Sequence, residues 1–192
     1  MIVKTIDEDI KLACETLRKG GVILYPTDTV WGIGCDAIQS NVVKRVFEIK
    51  RRADNKALIV MLGDEQLLEL YVDEVPEIAY DLIDAAVKPL TIVYDGGCNL
   101  APELLGEDGS VGIRITKENF SSRLCRAYRK PIVSTSANIS GEPTPAIFDE
   151  ISENIKNSVD YIVETRRDDN EPHLPSSVIK LGVGGTIKII RN

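Results

Sequence analysis

The chain has 192 residues, with 30 Asp and Glu against 23 Lys and Arg, for a formal net charge of −7. A hydrophobic content of 43% beside 28% charged residues is ordinary globular composition and excludes a disordered tail protein. The acidic balance excludes coating nucleic acid through bulk charge, because that affinity comes from neutralising phosphates, yet it leaves room for a local basic site. Its longest uninterrupted apolar run, 57–62, is far too short to cross a bilayer, and no charged-then-apolar leader opens the chain. The expectation is a soluble, cytoplasmic protein with enough chain for one sizeable core.

The first element is a helix. Thr5 and Glu8 have capping-box spacing, Ile10, Ala13, Cys14 and Leu17 recur at helical intervals, and Gly20-Gly21 stops the run. Residues 22–25 read as a buried strand that Pro26 ends. Thr27-Asp28-Thr29 forms a polar turn before 30–35 resumes as strand or loop. Ser40 is placed to cap a second helix with Val42, Val43, Val46 and Phe47 inward, running into Lys50-Arg51-Arg52. A strand at 58–62 follows.

Two acidic helices are expected at 65–70 and 76–87, with Pro76 in a first turn. Strands at 90–94 and 111–115 precede a helix over 118–128 whose end is rich in arginine, which suits the helix dipole. Ile132-Val133 is a short strand opening onto the polar segment Ser134-Thr135-Ser136-Ala137-Asn138. Thr144-Pro145 starts a helix with Ile147, Phe148, Ile151 and Ile155 inward. Strands at 161–164, 178–181 and 186–190 close the chain, the last two joined by a hairpin turn at Gly182-Val183-Gly184-Gly185. Strands and helices are interleaved without a linker or a repeat. The fold class is therefore α/β, a single domain around a twisted mixed sheet with flanking helices, although the strand order does not follow from the pattern.

Several chemistries lose support at once. Cys14, Cys35, Cys98 and Cys125 are widely spaced with no C-x-x-C pair, and His173 has no histidine partner, so a structural zinc site is poorly supported. Disulfides do not suit an unexported chain of this size. His173, between Pro172 and Pro175 in a loop, reads as an exposed histidine rather than a base. No Walker-type phosphate loop, no G-x-G-x-x-G, no kinase set and no G-x-S-x-G elbow occurs.

What remains is uneven charge. Between Lys44 and Lys56 stand six basic residues and two acids, whereas 64–84 carries eight acids and no Lys or Arg. The basic stretch is either an anion site or a salt-bridged helix end, and Arg51 or Arg52 is the better candidate contact because a planar guanidinium suits phosphate and carboxylate oxygens. The polar segments at 26–29 and 134–138 follow apolar strands, where ligands of α/β sheets gather; each also fits simple turn chemistry.

Taken together, Pro26-Thr27-Asp28-Thr29-Val30-Trp31-Gly32, then Lys50-x-Arg52, then Ser136-x-Asn138 resemble the YrdC family of threonylcarbamoyl-AMP synthases, with similarity from Gly21 to Arg191. The resemblance implies a twisted α/β fold around a positively charged concave cavity, without the extra C-terminal domain of longer relatives, so that residues 1–192 form one domain. It implies a nucleotidyltransferase reaction joining L-threonine, bicarbonate or CO2, and ATP into threonylcarbamoyl-adenylate and pyrophosphate, with Mg2+ accompanying ATP. A partner complex would then pass the threonylcarbamoyl group to a tRNA adenosine beside the anticodon.

Carried over by position, Lys50, Arg52, Ser136 and Asn138 fall on the family's catalytic nucleotide positions, joined at ATP by Lys56, Ser110 and Arg191. Thr29, Met61, Arg114 and Ser176 fall near threonine, Arg114 as the partner of its carboxylate. Departures are Trp31 for a common Tyr, Ala53 and Ala57 for common prolines, Lys56 for a frequent Asn, and Met61 for a frequent His. The metal ligands are not indicated. The competing readings are an RNA-binding maturation factor without catalysis and a YciO-like or carbamoyl-adenylate-forming relative.

Overall fold

Residues 4–51, 58–171, 173 and 175–191 are described by the computed structural model. The first helix, α1 (Ile6–Arg18), begins in the capping box expected of it: the Glu8 amide donates to Thr5 Oγ1 and the Thr5 amide to Glu8 Oε2. It buries Ile10, Ala13, Cys14 and Leu17 and ends where Gly20 takes φ +75°. Then come β1 (Ile23–Tyr25), β2 (Gly32–Gly34), α2 (Ser40–Lys50), β3 (Ile59–Leu62), α3 (Ile78–Ala85), β4 (Leu90–Tyr94) and β5 (Val111–Ile115). The chain continues through α4 (Asn119–Tyr128), β6 (Ile132–Ser136), α5 (Glu153–Lys156), β7 (Tyr161–Ile162), β8 (Ser177–Leu181) and β9 (Ile187–Arg191).

The strands form one mixed sheet in the order β7-β1-β2-β6-β3-β5-β4-β8-β9. The β3/β5 pair is parallel, with Met61 opposite Arg114, and β6 runs antiparallel to both β2 and β3. The apolar stretches of the strands are buried: β1 is fully buried, as are Val60, Met61 and Leu62 of β3 and Ile132 and Val133 of β6. Such continuous apolar runs belong to strands covered on both faces, and each buried aliphatic side chain contributes about 1.5–3 kcal/mol. At the sheet's edge, β9 is exposed along its whole length. Among the helices, α1 packs on α4, and α2 lies against a 3-10 turn at Pro102–Leu104.

Several local expectations are corrected by the packing. Ser40 does not cap α2. It is the first helical residue, Gln39 holds the cap position, and the Ser40 hydroxyl donates instead to Glu103 Oε1 at 2.7 Å. Residues 65–70 form a 3-10 helix rather than an α-helix, capped by Asp64. The helix expected over 76–87 is confined to α3, with Pro76 ahead of it. No helix starts at Thr144-Pro145. A 3-10 turn at Phe148–Glu150 and the short α5 stand there, and Trp31 draws Phe148 into a tilted ring contact at 4.8 Å. The polar segment 134–138 is not a loop throughout, since Ser134, Thr135 and Ser136 belong to β6 and pair with β2 and β3. Similarly, β7 stops at Ile162, short of 164.

Candidate functional site

The site is built where the middle strands end. Pro26 terminates β1, and Thr27 then folds its side chain back: Thr27 Oγ1 donates to the Val30 carbonyl at 2.7 Å and accepts from the Thr29 amide at 3.1 Å. This tight turn leaves the Thr29 hydroxyl 3.4 Å from an N–H of Arg114, delivered from β5. The turn leads into β2, where only glycine fits at 34. A Cβ there would lie 2.7 Å from Tyr25 Cε1 and 2.9 Å from the Val133 carbonyl, so the close approach of β1, β2 and β6 depends on its absence.

On the neighbouring strand end, the Ser136 hydroxyl donates to Asn138 Oδ1 at 2.5 Å, and the Asn138 amide group donates to the Glu142 carbonyl at 2.7 Å. Lys50, at the end of α2, is 1% exposed. Its ammonium donates to the carbonyls of Ser136 at 2.5 Å and Asn138 at 2.8 Å. Lys50 thus braces the segment that carries the S-x-N residues. Across the sheet, Ser176 shares a hydrogen bond with Thr91 Oγ1 at 3.0 Å, and Arg191 donates to the Ser176 carbonyl and hydroxyl at 3.0 and 3.2 Å.

These groups converge on a cavity of about 450 Å3. Of the residues singled out in the sequence, Thr29, Arg114, Ser136, Ser176 and Arg191 line it together. Lys50 and Asn138 stand behind the wall as supports. Met61 is fully buried with its sulfur 3.8 Å from the Tyr25 hydroxyl, and Ser110 lies in the loop before β5, donating to Asp108 at 2.5 Å. Arg52 and Lys56 lie outside the described residues, as do Ala53 and Ala57.

The basic stretch divides. Lys44 pairs with Glu103 at 3.1 Å and Arg45 with Asp160 at 2.6 Å, the salt-bridged helix face that was one of its two readings. Arg51 is exposed at the end of α2, with φ +47°.

Other lining residues escaped the sequence reading as site residues: Trp31, Ser134, Thr144 and His173. For Ser134 the signal was present in the hydroxyl-rich segment that contains it. His173 is not simply exposed. Its Nε2 sits 2.9 Å from Arg166, whose guanidinium also donates to the Thr27 carbonyl at 3.0 Å and pairs with Asp169 at 2.6 Å and Glu118 at 3.3 Å. Arg166 thereby ties the 26–29 turn to the 166–173 segment. A smaller cavity of about 250 Å3 adjoins, sharing Thr27 and His173 with the first and bordered by Asp28 and Glu118.

Electrostatically, the Asp28–Arg114 pair stands out. Arg114 is 4% exposed, and its nearest carboxylate oxygen, Asp28 Oδ1, is 3.5 Å away. Burial pushes the Asp28 carboxyl above its ordinary value, with the Arg114 guanidinium pulling it back. Thiol chemistry is unsupported: burial pushes the thiols of Cys14, Cys35 and Cys125 up, away from the thiolate, and all four cysteines are free. Among the described residues no group of three or more His, Cys, Asp or Glu is placed to hold a metal ion, and no helix is long and apolar enough to cross a membrane.

Hydroxyls and two arginines line a large cavity at strand ends in an α/β fold, the kind of lining that suits a polar, anionic small molecule. The comparisons make this specific. The family described as Telomere recombination, the Sua5/YciO/YrdC group, matches residues 15–192, and the chain belongs to this family. A threonylcarbamoyl-AMP synthase of Vibrio cholerae is 32% identical over 174 residues, covering 89% of this chain and 92% of that protein. Its counterpart in Xanthomonas euvesicatoria is 38% identical over 138 residues, covering 70% and 74%.

Among solved structures, P. abyssi Sua5 complexed with L-threonine matches with a TM-score of 0.79 at 30% identity, over 90% of this chain and 50% of that one. The chain therefore spans about half the length of that Sua5. E. coli YciO matches with a TM-score of 0.82 at 26% identity, over 98% and 90%. The expected fold class, a mixed sheet flanked by helices, is the one observed.

Proposed function

We propose that the protein is an L-threonylcarbamoyladenylate synthase, an enzyme of the nucleotidyltransferase type that condenses L-threonine, bicarbonate or CO2, and ATP and releases pyrophosphate. The observation that carries this reading is the meeting of Thr29, Arg114 and Ser176 with Ser136 and Arg191 around one cavity, in a chain similar to named synthases over most of its length. That the Sua5 neighbour was solved with L-threonine supports an amino acid as one occupant.

In this reading, Arg114 takes the threonine carboxylate. Thr29 and Ser176 hydrogen-bond its hydroxyl, a contact that valine would leave unmade. Ser136 and Arg191 face the nucleotide, a role that the family resemblance also implies for Arg52 and Lys56, and Lys50 acts by holding the Ser136–Asn138 backbone. The threonine ammonium loses a proton to give the free amine, whose nitrogen bonds to CO2 with release of a second proton to solvent; an oxygen of the resulting N-carboxylate then attacks the α-phosphate as pyrophosphate departs. Positioning and charge neutralisation carry such a transfer, with little covalent work asked of the protein. Because the described residues offer no acidic or histidine cluster for an ion, Mg2+ is proposed to arrive on the triphosphate, and no step is assigned to it. The product would pass to a threonylcarbamoyl-transferring complex acting on tRNA in the cytoplasm.

A second reading, a YciO-like protein with a different substrate, draws support from the near end-to-end match to E. coli YciO. One assay separates the two: pyrophosphate release from ATP and bicarbonate, with and without L-threonine. Threonine-dependent release is expected, and Arg114→Ala should weaken threonine on the order of a hundred-fold, as for one partner lost from a buried charge pair. Release that ignores threonine in folded protein would transfer the case to the YciO-like reading.

A further inference from the structure

Asp28 and Arg114 form a pair that is left incomplete on both sides. At 3.5 Å the two charges are close without a hydrogen bond between them. Asp28 Oδ1 and Arg114 Nε are both buried and have no hydrogen-bond partner. Buried polar atoms are paired in the great majority of cases, so two orphans on the facing members of one ion pair call for an explanation. Other neighbours do not supply the missing contacts. Arg166, the next cation, is taken up by Asp169, Glu118 and the Thr27 carbonyl. The Thr29 hydroxyl touches Arg114 through Nη1, not Nε.

The unmet needs are complementary. Arg114 Nε lacks an acceptor, and Arg114 lines the larger cavity; Asp28 Oδ1 lacks a donor, and Asp28 borders the smaller one beside it. A ligand that meets both carries an anionic acceptor and a cationic donor on adjacent atoms, which is the definition of an α-amino acid zwitterion.

We propose that Asp28 is the ammonium-receiving half of the amino-acid site, and that by standing beside Arg114 it makes the site selective for zwitterions over plain carboxylic acids. This rests on the reading that an amino acid occupies the Arg114 cavity, and goes beyond it by naming the group that rejects acids lacking an amine. The physical reason is differential. A carboxylate without an ammonium must approach Arg114 against the neighbouring Asp28 charge. The zwitterion brings its own counter-charge and fills both orphan sites.

The test compares two ligands by calorimetry: L-threonine, and 2,3-dihydroxybutanoate, which keeps the carboxylate and side-chain hydroxyl but has no ammonium. The wild-type protein should prefer threonine by at least about ten-fold, and Asp28→Asn should reduce that preference by at least about ten-fold, by weakening threonine, tightening the deaminated acid, or both. The ratio is read within one protein sample, so a lower folded fraction does not move it. Asp28→Glu, which retains the charge, should keep most of the preference. An equal loss for both ligands in Asp28→Asn, or an unchanged ratio, overturns the inference while leaving the synthase reading standing. Absence of threonine binding to the wild-type protein overturns both.

Discussion

Two aspartates near opposite ends of the β2 segment, one fully and one partly buried, meet very different surroundings. Asp36, just after β2, is completely buried and accepts hydrogen bonds from the Tyr128 hydroxyl at 2.6 Å, the Ile38 amide at 2.9 Å and Gln39 at 3.0 Å, with Lys130 at 3.3 Å. Asp28, just before β2, has Arg114 at 3.5 Å and an oxygen with no hydrogen-bond partner. Burial alone would raise both carboxyls. At Asp36 the hydrogen bonds outweigh it and hold the group below its ordinary value, whereas at Asp28 burial wins. The contrast separates a carboxylate that builds the fold from one that waits for a ligand, and the distinguishing sign is unmet hydrogen-bonding capacity rather than burial or charge.

The largest expected effect is on stability. Asp36→Ala should cost on the order of 3 kcal/mol, because Tyr128 and the Ile38 amide lose a charged acceptor in a closed environment. Asp28→Ala should cost less than half as much, since Arg114 keeps Thr29 and borders a cavity that solvent can enter. Urea unfolding of the two variants reads the difference, and equal losses would break the comparison.

Next comes the pH dependence, where the signs are opposite. The Asp36 carboxyl is lowered in the folded state, so its contribution is fully present above 3.8 and is lost as pH falls below that value. The Asp28 carboxyl is raised, so its contribution is lost as pH climbs from 3.8 through its folded value. Denaturation midpoints across acid pH should therefore flatten below 3.8 in Asp36→Asn and above 3.8 in Asp28→Asn. The reverse assignment would contradict the environments described.

The smallest effect sharpens the role of burial. Thr5, satisfied by the Glu8 capping box but solvent-exposed, should cost only about 1 kcal/mol on Thr5→Ala, seen as a modest fall in the unfolding midpoint. A loss rivalling Asp36→Ala would mean that satisfaction alone, without enclosure, sets the energy.

Some of the segments that line the cavity were legible before the fold was known, though in an uneven way. The P-T-D-T turn and the S-x-N segment were visible because hydroxyl residues after apolar strands mark a short, local pattern. That Thr29, Arg114, Ser136, Ser176 and Arg191 share one cavity accords with the family resemblance. Residue spacing alone carried no hint that Arg166 reaches the 26–29 turn from far along the chain, or that His173 sits against that arginine. The basic stretch left two readings open, and for Lys44 and Arg45 the salt-bridged one holds, because folding brings Glu103 and Asp160 near.

By itself, the sequence determined the features whose energies are settled within a turn or two of chain. The capping box at Thr5, the buried stripe of α1, the stop at Gly20, the strand at β1 and the hairpin at Gly182-Val183-Gly184-Gly185 all depend on neighbours a few residues away. Tertiary structure alone decided the strand order, the shift of Ser40 from cap to Glu103 partner, the loss of the helix at Thr144-Pro145, and the pairing of Lys50 with the Ser136–Asn138 carbonyls. It also decided that Asp36 is satisfied and Asp28 is not. Hydrogen-bond satisfaction inside a protein is a sum over groups distant in sequence, and no local pattern of residue types contains that sum.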